Sequence, residues 1–179
     1  MTDASTFDEL YRDTYRRLVV SLSLATGSRE EAEDLAQEAF ARTLVRWSRV
    51  RHGTNPAGYV YRVAFRLHRR SLLTRWRRRG ALRLVETRAE LQLHASGDLW
   101  SEVAAIRDIV DGLPLGCRRA AALCLYAEMT AEEAASVLGV TASTVRTQVQ
   151  RARQAISAAV NVSSEEEDSG SRPSPAIVG

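Results

Sequence analysis

Eleven consecutive positions carry the densest set of groups able to do chemistry. Ser143, Thr144, Arg146, Thr147, Gln148, Gln150, Arg151 and Arg153 crowd together there without one carboxylate among them. A guanidinium forks onto guanine edges and onto phosphates, a glutamine amide matches adenine, and hydroxyls serve either. An ordinary solvated helix mixes the two signs of charge, so a face of Arg, Gln and Thr without acid suits a polyanion. The same stretch supplies the element that would hold these groups. Val145, Val149, Ala152 and Ile156 recur at spacings of four, three and four, the buried stripe of a helix, and Thr141 stands where a cap is needed. Upstream, Thr130 and Glu133 form a capping box for a short helix from Ala131 to Leu138, with Ala134, Ala135 and Leu138 on one face. Gly139 supplies the left-handed position that stops it, and Val140 is expected to anchor the turn in the core. Two helices on a tight turn, the second bearing the cations, make a helix-turn-helix.

A second concentration lies earlier. From Arg62 to Arg88 there are ten arginines and a single acid, Glu86, a net +9. Tyr59, Tyr61, Phe65 and Trp76 are interleaved with Arg62, Arg66, Arg69, Arg70, Arg77 and Arg78. Cations for phosphates beside rings for unstacked bases suit single-stranded nucleic acid. Such a cluster is costly by self-repulsion unless an anion relieves it. The competing reading makes the rings core residues, since Tyr59 and Val63 share a core-like spacing.

Nothing else in the chain gathers into a catalytic or metal-binding set. His52, His68 and His94 are scattered, and Cys117 and Cys124 lie seven apart in one expected helix. That separation is roughly 10 Å, too far for a mutual disulfide, so buried thiols are expected. Glu30, Glu31, Glu33 and Asp34 crowd a helix start, where they complement the helix dipole. There is no glycine-rich phosphate loop and no supported Ser/His/Asp arrangement. An enzyme is not indicated, and no cofactor or metal is called for.

The 179 residues allow one or two small domains, and 45% apolar content suffices for a core. All 25 basic residues are Arg, which suits nucleic acid, although biased codon composition accounts for much of it. No apolar run approaches the ~20 residues of a membrane helix, and Asp3, Asp8 and Glu9 stand where a signal peptide would be basic. A soluble, cytoplasmic protein without membrane insertion is expected.

Periodicity then gives the elements. Thr6 and Glu9 cap a helix with the stripe Phe7, Leu10, Tyr11, Leu18, Val19 and Leu22, broken at Thr26-Gly27. Ser28 and Glu31 form another capping box. It opens a helix to about Trp47, with Ala32, Leu35, Ala39, Phe40, Leu44 and Trp47 as its apolar ladder. Its late arginines, Arg42, Arg46 and Arg49, agree with the dipole. Asn55 caps and Pro56 opens a third long helix reaching about Trp76. Gly80 to Asp98 reads as a linker. A helix from Leu99 ends at Gly112, and Leu113-Pro114 starts another to about Glu128, with Leu115, Ala122, Leu123 and Tyr126 as candidate core. The fold class is all-α. Two small helical domains, 1–80 and 99–160, are joined by a flexible linker at 81–98, and an acidic tail at 161–179 is expected to be disordered.

With these elements in place, two motifs resemble a known family. Glu31 to Phe40 (EAEDLAQEAF) resembles the polymerase-binding helix of the extracytoplasmic-function sigma factors, the smallest group of the sigma-70 family. Leu113 to Leu125 (LPLGCRRAAALCL), followed by TVRTQVQRAR from Thr144 to Arg153, is similar to that family's fourth region. The resemblance covers roughly Phe7 to Ala158. It implies that Asp34, Leu35, Gln37, Glu38 and Phe40 face the clamp helices of RNA polymerase β′. It implies that Tyr59 to Arg79 takes the unwound −10 element of promoter DNA, and that Ser143, Thr144, Arg146, Thr147, Gln150, Arg151 and Arg153 read −35 duplex. It also implies a nucleoid association when polymerase is bound. Family members are often held inactive by an anti-sigma factor, and nothing in the sequence names one. One departure stands out. The family's W-L-x-R-I-A-R-N-L helix ends in an Asn beside a flipped −10 base, whereas Tyr59 to Leu67 (YVYRVAFRL) places Arg66 there, so the family's base choice does not transfer. Two other functions compete: a self-sufficient helix-turn-helix regulator that binds operator duplex, and a polymerase-binding regulator that sequesters other factors. The first would need dimer symmetry, and no dimer helix is evident; the second would not need the Arg146 to Arg153 face.

Overall fold

A computed structural model describes residues 6–81 and 109–169, with side chains described to 76 and from 109 to 159. The expected linker, most of the helix from Leu99, and residues 170–179 lie outside the described residues. Those described form helices and turns only. The first half comprises α1 (Phe7–Thr26), α2 (Arg29–Val45), the short α3 (Trp47–Val50) and α4 (Pro56–Ala81). The second comprises α5 (Leu115–Ala121), which runs on as a wider π-helical stretch Ala122–Tyr126, then α6 (Ala131–Leu138) and α7 (Ala142–Ser169).

The caps work as their chemistry requires. Thr6 and Glu9 exchange both bonds of a capping box, as do Thr130 and Glu133. Gly27 and Gly139 stop α1 and α6 at φ 75° and φ 70°. Asn55 Oδ1 accepts from the Gly58 amide at 2.6 Å, with Pro56 at the first helical position. Ser28 accepts from the Glu31 amide, but the Glu31 carboxylate does not return the bond. It meets Arg75 Nη1 at 3.0 Å and the Ser71 hydroxyl at 3.1 Å, tying the start of α2 to the far end of α4. Charge overrides the local box because a guanidinium is the stronger partner.

Burial corrects several sequence expectations. α2 ends at Val45, two residues short of Trp47, which opens α3 instead. Leu44 is 53% exposed and Leu115 and Val140 are about as exposed as Tyr11, so these apolar residues belong to surfaces. α4 runs five residues beyond Trp76, to Ala81. α7 continues to Ser169, so the stretch expected to be a disordered tail from 161 begins as helix. Extending a nucleated helix costs far less than starting one.

The core is shared by the two halves. Leu18, Leu22, Phe40, Val60 and Phe65 from the first half join Leu123, Ala134, Val137 and Val145 from the second in one buried cluster. A smaller cluster combines Val20 and Leu24 of α1 with Val110 and Ala122. α6 packs on α4, and the π-helical stretch packs on α1. α7 packs on both α5 and α6. Cys117 is buried, Cys124 is half-buried, and both are free thiols.

Candidate nucleic-acid interface

The helix-turn-helix presents its polar face as the spacing requires. Val145 and Ala152 are fully buried, with Val149 packed beside them. This fixes α7 with Arg146, Thr147, Gln150, Arg151 and Arg153 in solvent and Thr144 at the margin. The Thr144 amide donates to Thr141 Oγ1, closing the first turn, and Ser143 and Thr144 hydroxyls share hydrogen bonds with the same oxygen. Thr147 Oγ1 donates to the Ser143 carbonyl at 3.1 Å. Gln148 turns inward, its amide against Gly116 of α5, where a side chain in place of glycine would collide with it. The face itself carries no acid, yet Arg146 is not free: its Nη2 bonds Glu132 Oε1 of α6. The sequence reading missed Glu132, because only the turn geometry brings a residue fourteen positions earlier under Arg146.

The α4 side divides differently. Val60, Ala64 and His68 are fully buried. Tyr61 and Phe65, two of the rings proposed for stacking on bases, are 4% and 3% exposed and lie in the shared core. Burial raises the Tyr61 hydroxyl to about 12, against a hydrogen bond to Ser21 that lowers it. They cannot meet a base without unfolding. Arg62, Arg66, Arg69, Arg70 and Trp76 are exposed, and Tyr59 is half-buried at the rim. The side chains of Arg77 and Arg78 lie outside the described residues.

Tyr59 sits between two hollows. One, of about 390 Å³, is walled by Arg42, Arg46, Val63, Arg66 and Arg70. The other, of about 420 Å³, is formed with Arg49, Asn55, Arg62 and the backbone at Gly53-Thr54. Arg46 Nη1 donates to Tyr59 Oη at 3.3 Å and bridges them. A half-buried ring ringed by guanidinium groups can take an unstacked base and its phosphate together. Sequence alone explains Arg42, Arg46 and Arg49 as compensation of the helix dipole. Their spacing of four and three, on the side facing α4, was the available signal. Arg66 lines the first hollow, so the position where the family has Asn does border a base-sized space.

A third, shallow hollow of about 860 Å³ runs along α2. Asp34, Leu35, Gln37 and Glu38 line it together with Glu31 and Arg75. Phe40 does not. It is 3% exposed and packs in an aromatic cluster with Phe7, Tyr11 and Tyr15, its ring centroid 4.8 Å from that of Tyr11. Four of the five residues expected to face polymerase therefore share one accessible surface, and the fifth supports it from beneath.

Both halves match models of one family. Residues 7–81 match sigma-70 region 2, and residues 104–156 match sigma-70 region 4. The chain is 32% identical over 162 residues to the ECF RNA polymerase sigma factor SigE of Mycolicibacterium smegmatis, covering 83% of this chain and 59% of that protein. It thus spans somewhat over half the length of that relative. It is 27% identical over 154 residues to the RNA polymerase sigma-E factor of Streptomyces coelicolor, covering 85% of this chain and 84% of that one. The sigma factor RpoE of Bartonella quintana, solved in complex with the anti-sigma factor NepR, superposes with a TM-score of 0.70. That match has 18% identity and covers 87% of this chain and 97% of the other, a likeness of fold. The chain belongs to the sigma-70 family, in its extracytoplasmic-function group.

Proposed function

We propose that this chain is a promoter-specificity subunit of RNA polymerase, acting in the cytoplasm, that directs the core enzyme to particular promoters and assists their melting. The observation that carries the reading is the pairing of two different nucleic-acid surfaces in one chain, each on the region where the family reads DNA. The α7 face, with exposed Arg146, Thr147, Gln150, Arg151 and Arg153, has the chemistry of major-groove readout and would take the −35 duplex. The α4 face, with Tyr59, Trp76 and the surrounding arginines, has the chemistry of single-strand capture and would hold the opened −10 strand. The α2 hollow at Asp34, Leu35, Gln37 and Glu38 would receive the β′ clamp helices of core polymerase. Each contributes binding only; no bond is made or broken by the chain, and no cofactor enters. The Bartonella quintana RpoE was solved in complex with an anti-sigma factor, and on this chain the α2 and α4 surfaces are where such a partner would compete. A free-standing operator binder would have no use for a region 2.

Run-off transcription with purified core polymerase across a promoter library tests the reading. Promoter-dependent transcripts that appear only when the chain is added are the expected result. Tight duplex binding by the chain alone, without any transcript, would overturn it.

A further inference from the structure

The two hollows beside Tyr59 differ in what they can offer a base. The first is walled by Arg42, Val45, Arg46, Val63, Arg66 and Arg70. A guanidinium donates and never accepts, and valine does neither, so Tyr59 Oη is the one side-chain acceptor in that space. It is already engaged, taking a bond from Arg46 Nη1 at 3.3 Å. The second hollow is mixed. It sets the Thr54 hydroxyl and the Asn55 amide beside its arginines, and both groups accept as well as donate. A mixed lining can meet the edge of any base. A lining of donors turns cations toward whatever hydrogens the base carries on that edge.

The four arginines of the first hollow are not equally available. Arg42 Nε donates to Glu38 Oε1 at 2.6 Å, one turn back on α2, and Arg46 holds Tyr59. Arg66 and Arg70 stand one turn apart on α4. Both are exposed, and among the described residues neither side chain makes a hydrogen bond or an ion pair. Two uncommitted guanidinium groups therefore border one space, with the half-buried Tyr59 ring at its rim and the buried Val63 behind it.

An unstacked base presents its edges to such a wall. Guanine carries two acceptors side by side, O6 and N7; adenine sets an amino donor beside N7, and thymine offers a single carbonyl there. Cytosine has neighbouring acceptors in O2 and N3, but an amino donor adjoins them. The fork of a guanidinium meets the guanine pair with two parallel bonds, a preference of roughly five- to a hundredfold over a wrong base.

Resting on the promoter-specificity reading, we propose that the hollow between α2 and α4 is a guanine-selective pocket for the opened −10 strand. Arg66 reads the O6/N7 edge, Tyr59 stacks on the ring, and Arg70 takes the neighbouring phosphate. Arg66 thus attracts any strand by its charge and guanine by its fork. Adenine is rejected because its amino hydrogens would face cations. The second hollow, which has acceptors of its own, makes no such choice.

The test uses core polymerase carrying the full-length chain, on promoters whose −10 segment is kept open by mismatches. Each position of the captured strand is given all four bases in turn, and binding is read by competition. One position should favour guanine by about fivefold or more. There 7-deazaguanine, which lacks N7, should lose most of the preference. Hypoxanthine keeps O6 and N7 without the 2-amino group and should bind as guanine does. Arg66→Lys keeps the charge and loses the fork. It should bring the four bases within about twofold of one another at that position, and leave the weaker three nearly unchanged. Arg70→Ala should weaken all four alike. Arg66 and Arg70 are exposed, so these variants fold. No guanine preference at any position, a preference that survives Arg66→Lys, or one indifferent to N7 would overturn the pocket. An equal loss for every base in Arg66→Lys would make Arg66 a phosphate contact and overturn it as well. If the parent complex transcribes from no promoter, the function proposed above falls. Competition among the same single strands for the chain alone, parent against Arg66→Lys, then still decides the pocket.

Discussion

α4 and α7 are both long, arginine-bearing helices, yet they expose their chemistry to different degrees. α7 leans on its neighbours along one narrow stripe, Val145, Val149 and Ala152, and Arg146, Thr147, Gln150, Arg151 and Arg153 stand in solvent where a groove can meet them. α4 is gripped by α1, α2 and α6 together. Its buried sector is wide enough to take Tyr61 and Phe65 along with Val60, Ala64 and His68. A helix packed on three sides leaves to solvent only a rim and its far end, and there Tyr59, the arginines and Trp76 collect. The same composition therefore means different things in the two helices: on α7 a residue's type announces its role, on α4 the role depends on which side of the helix it occupies.

The sharpest way to break this contrast is to remove rings on α4 one at a time. Phe65→Ala should destabilise the fold by about 3–5 kcal/mol in urea or thermal unfolding, the cost of emptying a packed aromatic site. Trp76→Ala should leave stability within about 0.5 kcal/mol, since the ring is 74% exposed. It should instead weaken binding of a −10 single strand by about 1–3 kcal/mol. Equal effects of the two substitutions on strand binding at unchanged stability would show that the rings had been divided wrongly.

Next in size is the titration of His68. Burial, reinforced by Arg119, Arg75 and Arg118, pushes this imidazole down to about 4 from an ordinary 6.5. Above pH 6.5 it is neutral whether the chain is folded or not, and stability is unaffected by it. Between pH 6.5 and about 4 the unfolded chain takes up the proton and the folded chain refuses it, so stability falls as the pH falls. The loss attributable to this group approaches 3 kcal/mol at the acid end, on the order of 1.4 per unit. Carboxylates titrate in the same range, so the measurement is the difference between parent and His68→Phe unfolding from pH 4 to 7. The parent should lose more on acidification; identical slopes would mean that His68 is solvated in the working protein.

How much was legible beforehand follows the same division. Capping boxes at Thr6 and Thr130, the glycine stops, the Asn55-Pro56 start and the stripe on α7 all came from local chemistry, and local chemistry decides them. The polar face of α7 was readable because it needs only a period and a sign of charge. What resisted reading was tertiary. The face of α4 that α6 would cover, the return of Glu31 to Arg75, the exposure of Leu44 and Val140, and the hollow between α2 and α4 each depend on a neighbour distant in sequence. The π-helical turn at Ala122–Tyr126 escaped as well. Its apolar run differs little from an α-helical one, and what distinguishes it is a wider bond, from the Ala127 amide to the Ala122 carbonyl.

Arg146 sharpens the comparison from the other side. Arg146→Ala should cost about 1–3 kcal/mol on duplex carrying the correct −35 base and much less on altered sites. A uniform loss over all sequences would make it a phosphate contact. Neutralising Arg66, Arg69 and Arg70 together should do the reverse, weakening binding across sequences and lowering the salt slope by roughly the number of phosphates released. A salt slope that stays put would remove those arginines from the DNA surface.

The smallest effect concerns Glu132, the acid that pairs with Arg146 of the recognition face. Its ion pair with Arg146 is more than half exposed on both sides, so it adds little to stability, under about 1 kcal/mol. Its consequence lies in what the guanidinium can do. Holding Arg146 by one nitrogen limits the rotamers from which its fork approaches a base edge, and the carboxylate repels any phosphate that comes near. Glu132→Gln removes the repulsion and loosens the hold at once. Affinity for duplex of arbitrary sequence should therefore rise a few-fold, while the preference for the correct −35 base narrows. If preference and affinity rose together, Glu132 would be only a competing charge. If neither moved, the pair would be incidental, and the face of α7 would be as independent of its neighbours as its sequence suggests.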